Sequence, residues 1–120
     1  MTGKQFKIRA DEILPLAPRR GSCFASDMIT VQGEKVGYLY REKPDSEYDS
    51  GWRFLSGTES QEYLDDPETL QIYDVNTIAN YDPEIIPFLD EPIDSAFERH
   101  QSTGKFVATD FPCDQSVDDE

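Results

Sequence analysis

Carboxylates are the side chains whose number and spacing say most about the chemistry of this sequence. The 45 residues between Arg53 and Arg99 contain no Lys or Arg, yet they include twelve Asp and Glu residues from Glu59 to Glu98. Like charges gathered on one surface repel each other, and their combined field attracts cationic molecules. The acidic block therefore predicts a surface that binds a positively charged partner.

Aromatic residues lie within and beside the acidic block. Trp52 and Phe54 are two positions apart in a short predicted strand, so they share a face and are expected to fill the core. The tyrosines that follow are expected at the surface. Aromatic side chains are typical anchors of protein interfaces. We predict a partner-binding surface in which tyrosines anchor the contact and carboxylates attract the partner. Its residues are Tyr63, Asp65, Asp66, Glu68, Tyr73, Asp74, Tyr81, Asp82 and Glu84.

Charge is distributed unevenly along the chain. Residues 1–43 hold eight Lys or Arg and five Asp or Glu, whereas residues 44–120 hold three Lys or Arg and twenty Asp or Glu. A protein that binds nucleic acid must neutralise phosphates with a basic stripe. The net charge of −14 opposes such binding, so nucleic acid is not an expected ligand. The one basic cluster comprises Lys4, Lys7, Arg9, Arg19 and Arg20.

Few residues are candidates for catalysis. His100 is the only histidine, and no nucleophile is linked to it by a recognisable spacing. Cys23 would act as a nucleophile only if a neighbouring cation lowered the pKa of its thiol. The sequence also lacks a phosphate-binding glycine loop, a Gly-x-Ser-x-Gly motif and a His-Glu-x-x-His motif. We therefore expect neither enzymatic activity nor a cofactor.

One acidic run has the alternating spacing of a calcium-binding loop. Asp45, Glu47 and Asp49 match the start of an EF-hand loop, which needs Gly at its sixth position and Glu at its twelfth. Ser50 and Ser56 stand at those positions instead. No metal site is predicted.

The elements that must position these side chains are short. Alternating apolar residues and turn signals predict a hairpin, further strands and short capped helices. The fold class is therefore α+β, with a mostly antiparallel sheet of about five or six short strands and short helices packed on one face. The predicted elements are a hairpin of strands 25–31 and 35–42, a strand at 52–56, a helix ending at Leu64 and capped from Ser56 or Thr58, a strand at 70–75, a short turn capped by Asp74 or Asn76, a one-turn helix starting at Asp82-Pro83, and strands 95–100 and 105–109.

The chain is organised as one domain with two flanking segments. We predict a basic N-terminal arm at residues 1–21, a single α+β domain at 22–111 and a disordered acidic tail at 112–120. The N-terminus has no apolar targeting segment, and no window approaches the length of a membrane span. This predicts a cytoplasmic protein whose Cys23 and Cys113 remain reduced, a disulfide between them being the alternative.

Several phrases of the sequence resemble the Imm33 immunity-protein family, formerly the domain of unknown function DUF2185. The resemblance extends over about residues 22–107 and leaves the N-terminal arm and the acidic tail outside. The phrases that carry it are Cys23–Ile29, Val36–Glu42, Asp49–Gly57, Ile72–Pro83, Ile85–Pro87 and Ser95–Arg99.

The resemblance implies a small bacterial immunity protein that binds a toxin of a polymorphic toxin system and protects the producing cell. It supplies no catalytic residues. The charge pattern agrees with this class, because an acidic inhibitor is steered onto a cationic toxin and covers its active surface. The alternative is a small-molecule-binding or hydrolytic domain with residues 74–82 as a pocket wall, where Asn76, Thr77 and Asn80 offer hydrogen bonds.

Overall fold

The computed structural model describes residues 6–8, 10–66, 68–100 and 102–110. The fold is built around one mixed β-sheet. The six strands lie in the order β4-β1-β3-β2-β5-β6. The strands are β1 (Ser22–Ser26), β2 (Tyr38–Arg41), β3 (Asp49–Leu55), β4 (Leu70–Asp74), β5 (Ala96–Arg99) and β6 (Phe106–Ala108). The helices are α1 (Asp27–Thr30), α2 (Gln61–Asp65) and α3 (Val75–Tyr81), with 3-10 helices at Ala10–Glu12 and Pro83–Phe88.

The pairing confirms the predicted fold class. Every neighbouring pair of strands is antiparallel except β1 and β3, which run parallel. The hairpin of β5 and β6 confirms the prediction for the last two strands. The predicted acidic tail, Cys113 and part of the basic arm, including Lys4 and Arg9, lie outside the described residues.

The predicted hairpin of segments 25–31 and 35–42 is wrong. The hydroxyl of Ser26 accepts a hydrogen bond from the backbone N–H of Met28 at 3.0 Å and caps α1, so the chain leaves the strand after Ser26. Strand β1 then pairs with β3 and β4, while β2 pairs with β3 and β5. Short apolar runs suit a buried helix turn as well as a strand, and here the N-cap decides in favour of the helix.

The N-caps of α3 and of the helix Pro83–Phe88 agree with the sequence prediction, whereas the N-cap of α2 does not. Asp74, one of the two caps predicted there, caps α3, and Asp82 caps the helix Pro83–Phe88 as predicted. That 3-10 helix continues through Pro87 and is longer than the predicted single turn. The cap of α2 is Ser60, which accepts from the N–H of Tyr63 at 3.1 Å, so the predicted caps at Ser56 and Thr58 are wrong. The partner of Ser56 is Glu59, whose carboxylate accepts its N–H at 2.8 Å and closes the turn after β3.

The core lies on one side of the sheet. Trp52 and Phe54 are both buried there, as predicted, and the indole N–H of Trp52 donates to the carbonyl of Leu89 at 3.2 Å. Side chains of α1, α3 and the helix Pro83–Phe88 complete this core through Ile29, Ile78 and Ile85, among others. Among the described residues, no helix has the length and apolar character needed to cross a lipid bilayer.

The other side of the sheet, which we call the open face, carries the alternate residues of each strand. Cross-strand partners share a face of a sheet, so the register assigns these residues directly. They include Phe24, Tyr38, Tyr40, Arg53, Leu55, Ile72, Glu98 and Val107.

Candidate functional site

Three carboxylates of the acidic block form an exposed group at the C-terminal end of α2, which we call the acidic trio: Asp65, Asp66 and Glu68. The cap at Ser60 fixes where α2 begins, and the N–H of Asp66 bonds to the carbonyl of Tyr63 at the other end. Within the described part of the chain, neither Asp65 nor Asp66 forms a salt bridge. Their charge is therefore available to an external cation.

Tyr63 is half-buried on the same helix, two residues before the trio. Burial raises the pKa of its hydroxyl, so the phenol is neutral at physiological pH.

Asp74 and Glu84 are exposed carboxylates with local structural contacts. Asp74 accepts the N–H of Asn76 at 2.8 Å as the cap of α3. Glu84 accepts from the Nη1 of Arg99 at 2.5 Å, and this guanidinium holds the pKa of the Glu84 carboxyl below its usual range. Both side chains remain at the surface and add to its negative field.

Asp82 is placed inside the protein instead. It is 1% exposed, and its Oδ2 accepts from the N–H of Val36 at 3.0 Å and from the Nη2 of Arg99 at 2.5 Å. Its Oδ1 accepts from the N–H of Glu84 at 3.1 Å. This carboxylate joins the helix Pro83–Phe88 to β5 and to the segment before β2, so it acts on the surface only by positioning its neighbours.

Tyr73 and Tyr81 contact the N-terminal segment. The hydroxyl of Tyr81 accepts from the N–H of Ile8 at 3.0 Å and donates to the carbonyl of Thr30 at 2.9 Å. The ring of Phe6 packs edge-on against Tyr73 with centroids 5.9 Å apart. These two tyrosines therefore lie beneath residues 6–8, which pack on the domain.

The amide side chains of α3 hold the next part of that segment. Asn76 Oδ1 accepts the N–H of Ala17 at 2.7 Å, and its Nδ2 donates to the carbonyl of Leu14 at 2.9 Å. Asn80 bonds both backbone groups of Leu14 at 2.8 Å. Asn76 and Asn80, two of the three residues expected to line a small-molecule pocket, are thus engaged within the protein, and the small-molecule alternative is not favoured.

Asn76→Ala is expected to loosen the N-terminal segment locally. It removes two hydrogen bonds, each contributing about 1 kcal/mol, and it frees the amide of Ala17 to exchange with solvent. Hydrogen exchange measured by NMR should show faster exchange at Ala17. Asn80→Ala is the matched control, because it removes bonds to Leu14 and should leave Ala17 protected; equal effects at Ala17 would contradict the assignment.

A buried ion pair that the sequence pattern did not reveal lies at the start of β3. The guanidinium of Arg53 donates from Nη1 and Nη2 to the two oxygens of Asp49, each at 2.9 Å, and from Nε to Glu42 at 2.5 Å. It also stacks over the ring of Phe24, 4.7 Å from the centroid. Both carboxylate oxygens of Asp49 therefore bind Arg53, and Asp49 is not free to act as a calcium ligand in the EF-hand-like spacing of this loop.

This pair predicts how stability depends on pH. The hydrogen bonds from Arg53 hold the pKa of the Asp49 carboxyl well below its usual range. Because the folded-state pKa is lower than the unfolded value of about 3.9, the stabilisation is fully present above that pH and is lost as the pH falls through the folded-state pKa. We expect the free energy of unfolding to decrease below about pH 4, and to decrease less steeply in Asp49→Asn.

Chemical denaturation at a series of acidic pH values measures this difference. Asp45→Asn is the control, since it removes an exposed carboxylate of the same loop that does not pair with Arg53. A profile for Asp49→Asn that parallels the original protein would show that the pair does not control acid stability.

The residues considered for catalysis have structural surroundings. Cys23 is an unpaired thiol that is 1% exposed, and burial raises its pKa far above the usual range, which disfavours the reactive thiolate. His100 is exposed at the end of β5, and its Nδ1 lies 2.9 Å from the hydroxyl of Ser102. Nδ1 of His100 also accepts the backbone N–H of Ser102 at 3.3 Å, so the contact between the two residues belongs to an exposed local turn. Within the described part of the chain, no carboxylate bonds to this imidazole to orient it as a general base.

Two adjoining depressions mark the open face, and sequence reasoning did not identify them. The larger has a volume of about 830 Å³ and is lined by Tyr38, Glu98 and the turn after β3. The smaller, about 330 Å³, is lined by Tyr40, Phe24 and Arg53 among others. A period-two pattern in β2 indicates that Tyr38 and Tyr40 share a face, but only the strand order shows which side chains surround them.

Comparison with known proteins relates most of this structure to one family. A family model described as the immunity protein Imm33 domain matches residues 23–110. No curated protein and no solved structure shows significant similarity to the chain. The matched range runs from the second residue of β1 to two residues beyond β6, so it includes nearly the whole sheet and excludes the N-terminal segment.

Proposed function

This chain belongs to the Imm33 immunity-protein family, and we propose that it neutralises a cognate protein toxin of a polymorphic toxin system by covering the toxin's active surface. It acts in the cytoplasm of the bacterium that produces the toxin. It does so by binding, without catalysing a reaction.

The exposed acidic trio is the observation that supports this proposal best. Asp65 and Asp66 carry charge that no basic side chain of the described chain neutralises, on a protein with a net charge of −14. An acidic surface of this kind accelerates association with a cationic partner and suits a toxin that binds nucleic acid. We infer a cationic toxin for this reason.

The other proposed contact residues divide by their position. Tyr63 anchors the contact beside the trio, and the exposed carboxylates of Asp74 and Glu84 extend the attracting field. Tyr73, Tyr81 and Asp82 support the surface from within. On this proposal, the toxin approaches the side of the molecule formed by α2 and β4.

A pull-down with tagged protein from the native bacterium tests the function. We expect one dominant partner that survives a high-salt wash, encoded next to the gene for this protein, and we expect co-expression to rescue growth of cells that produce that partner. Recovery of only salt-labile basic proteins, or failure of the co-expressed protein to protect, would contradict the proposal.

A further inference from the structure

The open face carries two tyrosine rings beside a glutamate that forms no salt bridge among the described residues. Tyr38 and Tyr40 lie along β2 with ring centroids 5.6 Å apart. In the register, Tyr38 stands opposite Leu55 of β3 on one side and Glu98 of β5 on the other, so the three side chains share the face. Glu98 is exposed and forms no salt bridge within the described part of the chain.

A second acidic residue, Asp110, lies near the Tyr38 ring. The Tyr38 hydroxyl lies 3.5 Å from the backbone oxygen of Asp110. Burial raises the pKa of the Tyr38 hydroxyl, and the negative charges of Glu98 and Asp110 raise it further. The phenol is therefore a neutral ring with carboxylates at its rim. A basic side chain over an aromatic face gains cation–π attraction, and a nearby carboxylate adds a charge-assisted hydrogen bond.

The two depressions of the open face are continuous with the proposed toxin-binding side. Leu55 and Leu64 line both depressions, Tyr38 lines the larger and Tyr40 the smaller. Leu64 belongs to α2 and directly precedes Asp65, the first residue of the acidic trio. A partner attracted to the trio therefore meets the edge of this groove.

We propose that the open face is a second part of the toxin interface, at which a Lys or Arg side chain of the toxin binds against Tyr38 and Glu98. This inference rests on the proposed function. It extends the toxin interface to the open face, which does not include the tyrosines proposed as contacts above. The smaller depression supplies an apolar floor through Leu55, Leu64 and Leu70, and Glu98 supplies the charge.

Charge complementarity favours a basic partner over a second copy of the chain. The two arginines that line the groove are already paired, Arg53 with Asp49 and Glu42, and Arg99 with Asp82 and Glu84. Glu98 is left in excess, so two copies meeting through this face would oppose like charges, which disfavours the contact.

The first experiment needs no toxin. A titration of the isotope-labelled protein with a hexa-arginine peptide, followed by NMR at physiological salt, should shift the signals of Tyr38, Leu55 and Glu98 in a saturable way. The Glu98→Gln variant should lose these shifts while retaining those at the acidic trio. Shifts confined to the trio, or shifts that do not saturate at the open face, would overturn the inference.

The second experiment uses the toxin captured in the pull-down. Glu98→Lys and Tyr38→Ala are each expected to weaken its affinity by about tenfold or more, as truncation of an interface anchor does. Glu47→Lys, an equal charge change in an exposed loop away from the groove, is the control and should have little effect. Circular dichroism of each variant checks that its fold is retained.

The outcomes separate the two proposals. If reversing the acidic trio weakens toxin binding but Glu98→Lys and Tyr38→Ala do not, the inference about the open face is wrong and the proposed function stands. If no toxin is bound or neutralised, the proposed function fails, whatever the peptide titration shows. If light scattering reveals a dimer that Tyr38→Ala dissociates, the open face binds a second copy, and the inference is again wrong.

Discussion

Replacement of Asp65 and Asp66 by lysine is expected to slow association with the toxin strongly. Electrostatic steering raises association rates by roughly ten- to a thousandfold, and these exposed carboxylates lack salt-bridge partners in the described chain. We expect an association rate at least tenfold lower, with a further decrease when Glu68→Lys is added. Surface plasmon resonance at low and physiological salt measures the rate directly.

A matched pair of substitutions separates local steering from net charge. Asp45→Lys with Glu47→Lys changes the net charge by the same amount in an exposed loop before β3. We expect this control to reduce the association rate much less than the change at the trio. Equal reductions would show that the toxin senses only the overall charge, and an unchanged rate in the trio variant would place the interface elsewhere.

The dependence of the association rate on salt concentration tests the same steering effect independently. Screening shortens the reach of exposed charges to about 8 Å at physiological ionic strength. The association rate of the original protein should therefore fall as salt is raised, whereas that of the trio variant should change little or in the opposite direction.

Asp82→Ala is expected to produce the largest loss of stability. It removes three hydrogen-bond acceptor contacts and takes from the guanidinium of Arg99, whose side chain is 16% exposed, its buried carboxylate partner. The guanidinium keeps the surface carboxylate of Glu84 and the carbonyls of Val36 and Gly104. Breaking a buried pair by removing one partner typically costs about 3–5 kcal/mol. The free energy of unfolding should fall by about that amount, as measured by urea denaturation.

Asp74→Ala is the matched control for this change. Asp74 also caps a helix, but it is exposed and is not paired with Arg99. Loss of a helix cap alone costs about 1 kcal/mol. If the two variants lost the same stability, the cap would account for the whole effect, and the contacts of Asp82 with Arg99 and Val36 would be energetically unimportant.

Local sequence signals were readable where the interacting groups are near neighbours. Asp74 and Asp82 each cap a helix by accepting an N–H two residues ahead, so the motif is contained within the segment that shows it. The alternation of Trp52 and Phe54 similarly follows from the two-residue period of a strand. The prediction of a strand at 25–31 was wrong because a four-residue helix and the end of a strand can have similar patterns of buried apolar residues.

The acidic character of the block, the α+β class, the family and several helix caps can be predicted from the amino-acid sequence, because they depend on composition and on neighbours in the chain. The burial of Asp82 against Val36, 46 residues away, and the hydrogen bond between Asn76 and Ala17, 59 residues away, become visible in the folded protein alone. The same holds for Tyr38, Leu55 and Glu98, which meet on one face of the sheet. Such contacts depend on strand order and register, which are set by packing of the whole chain rather than by any local pattern.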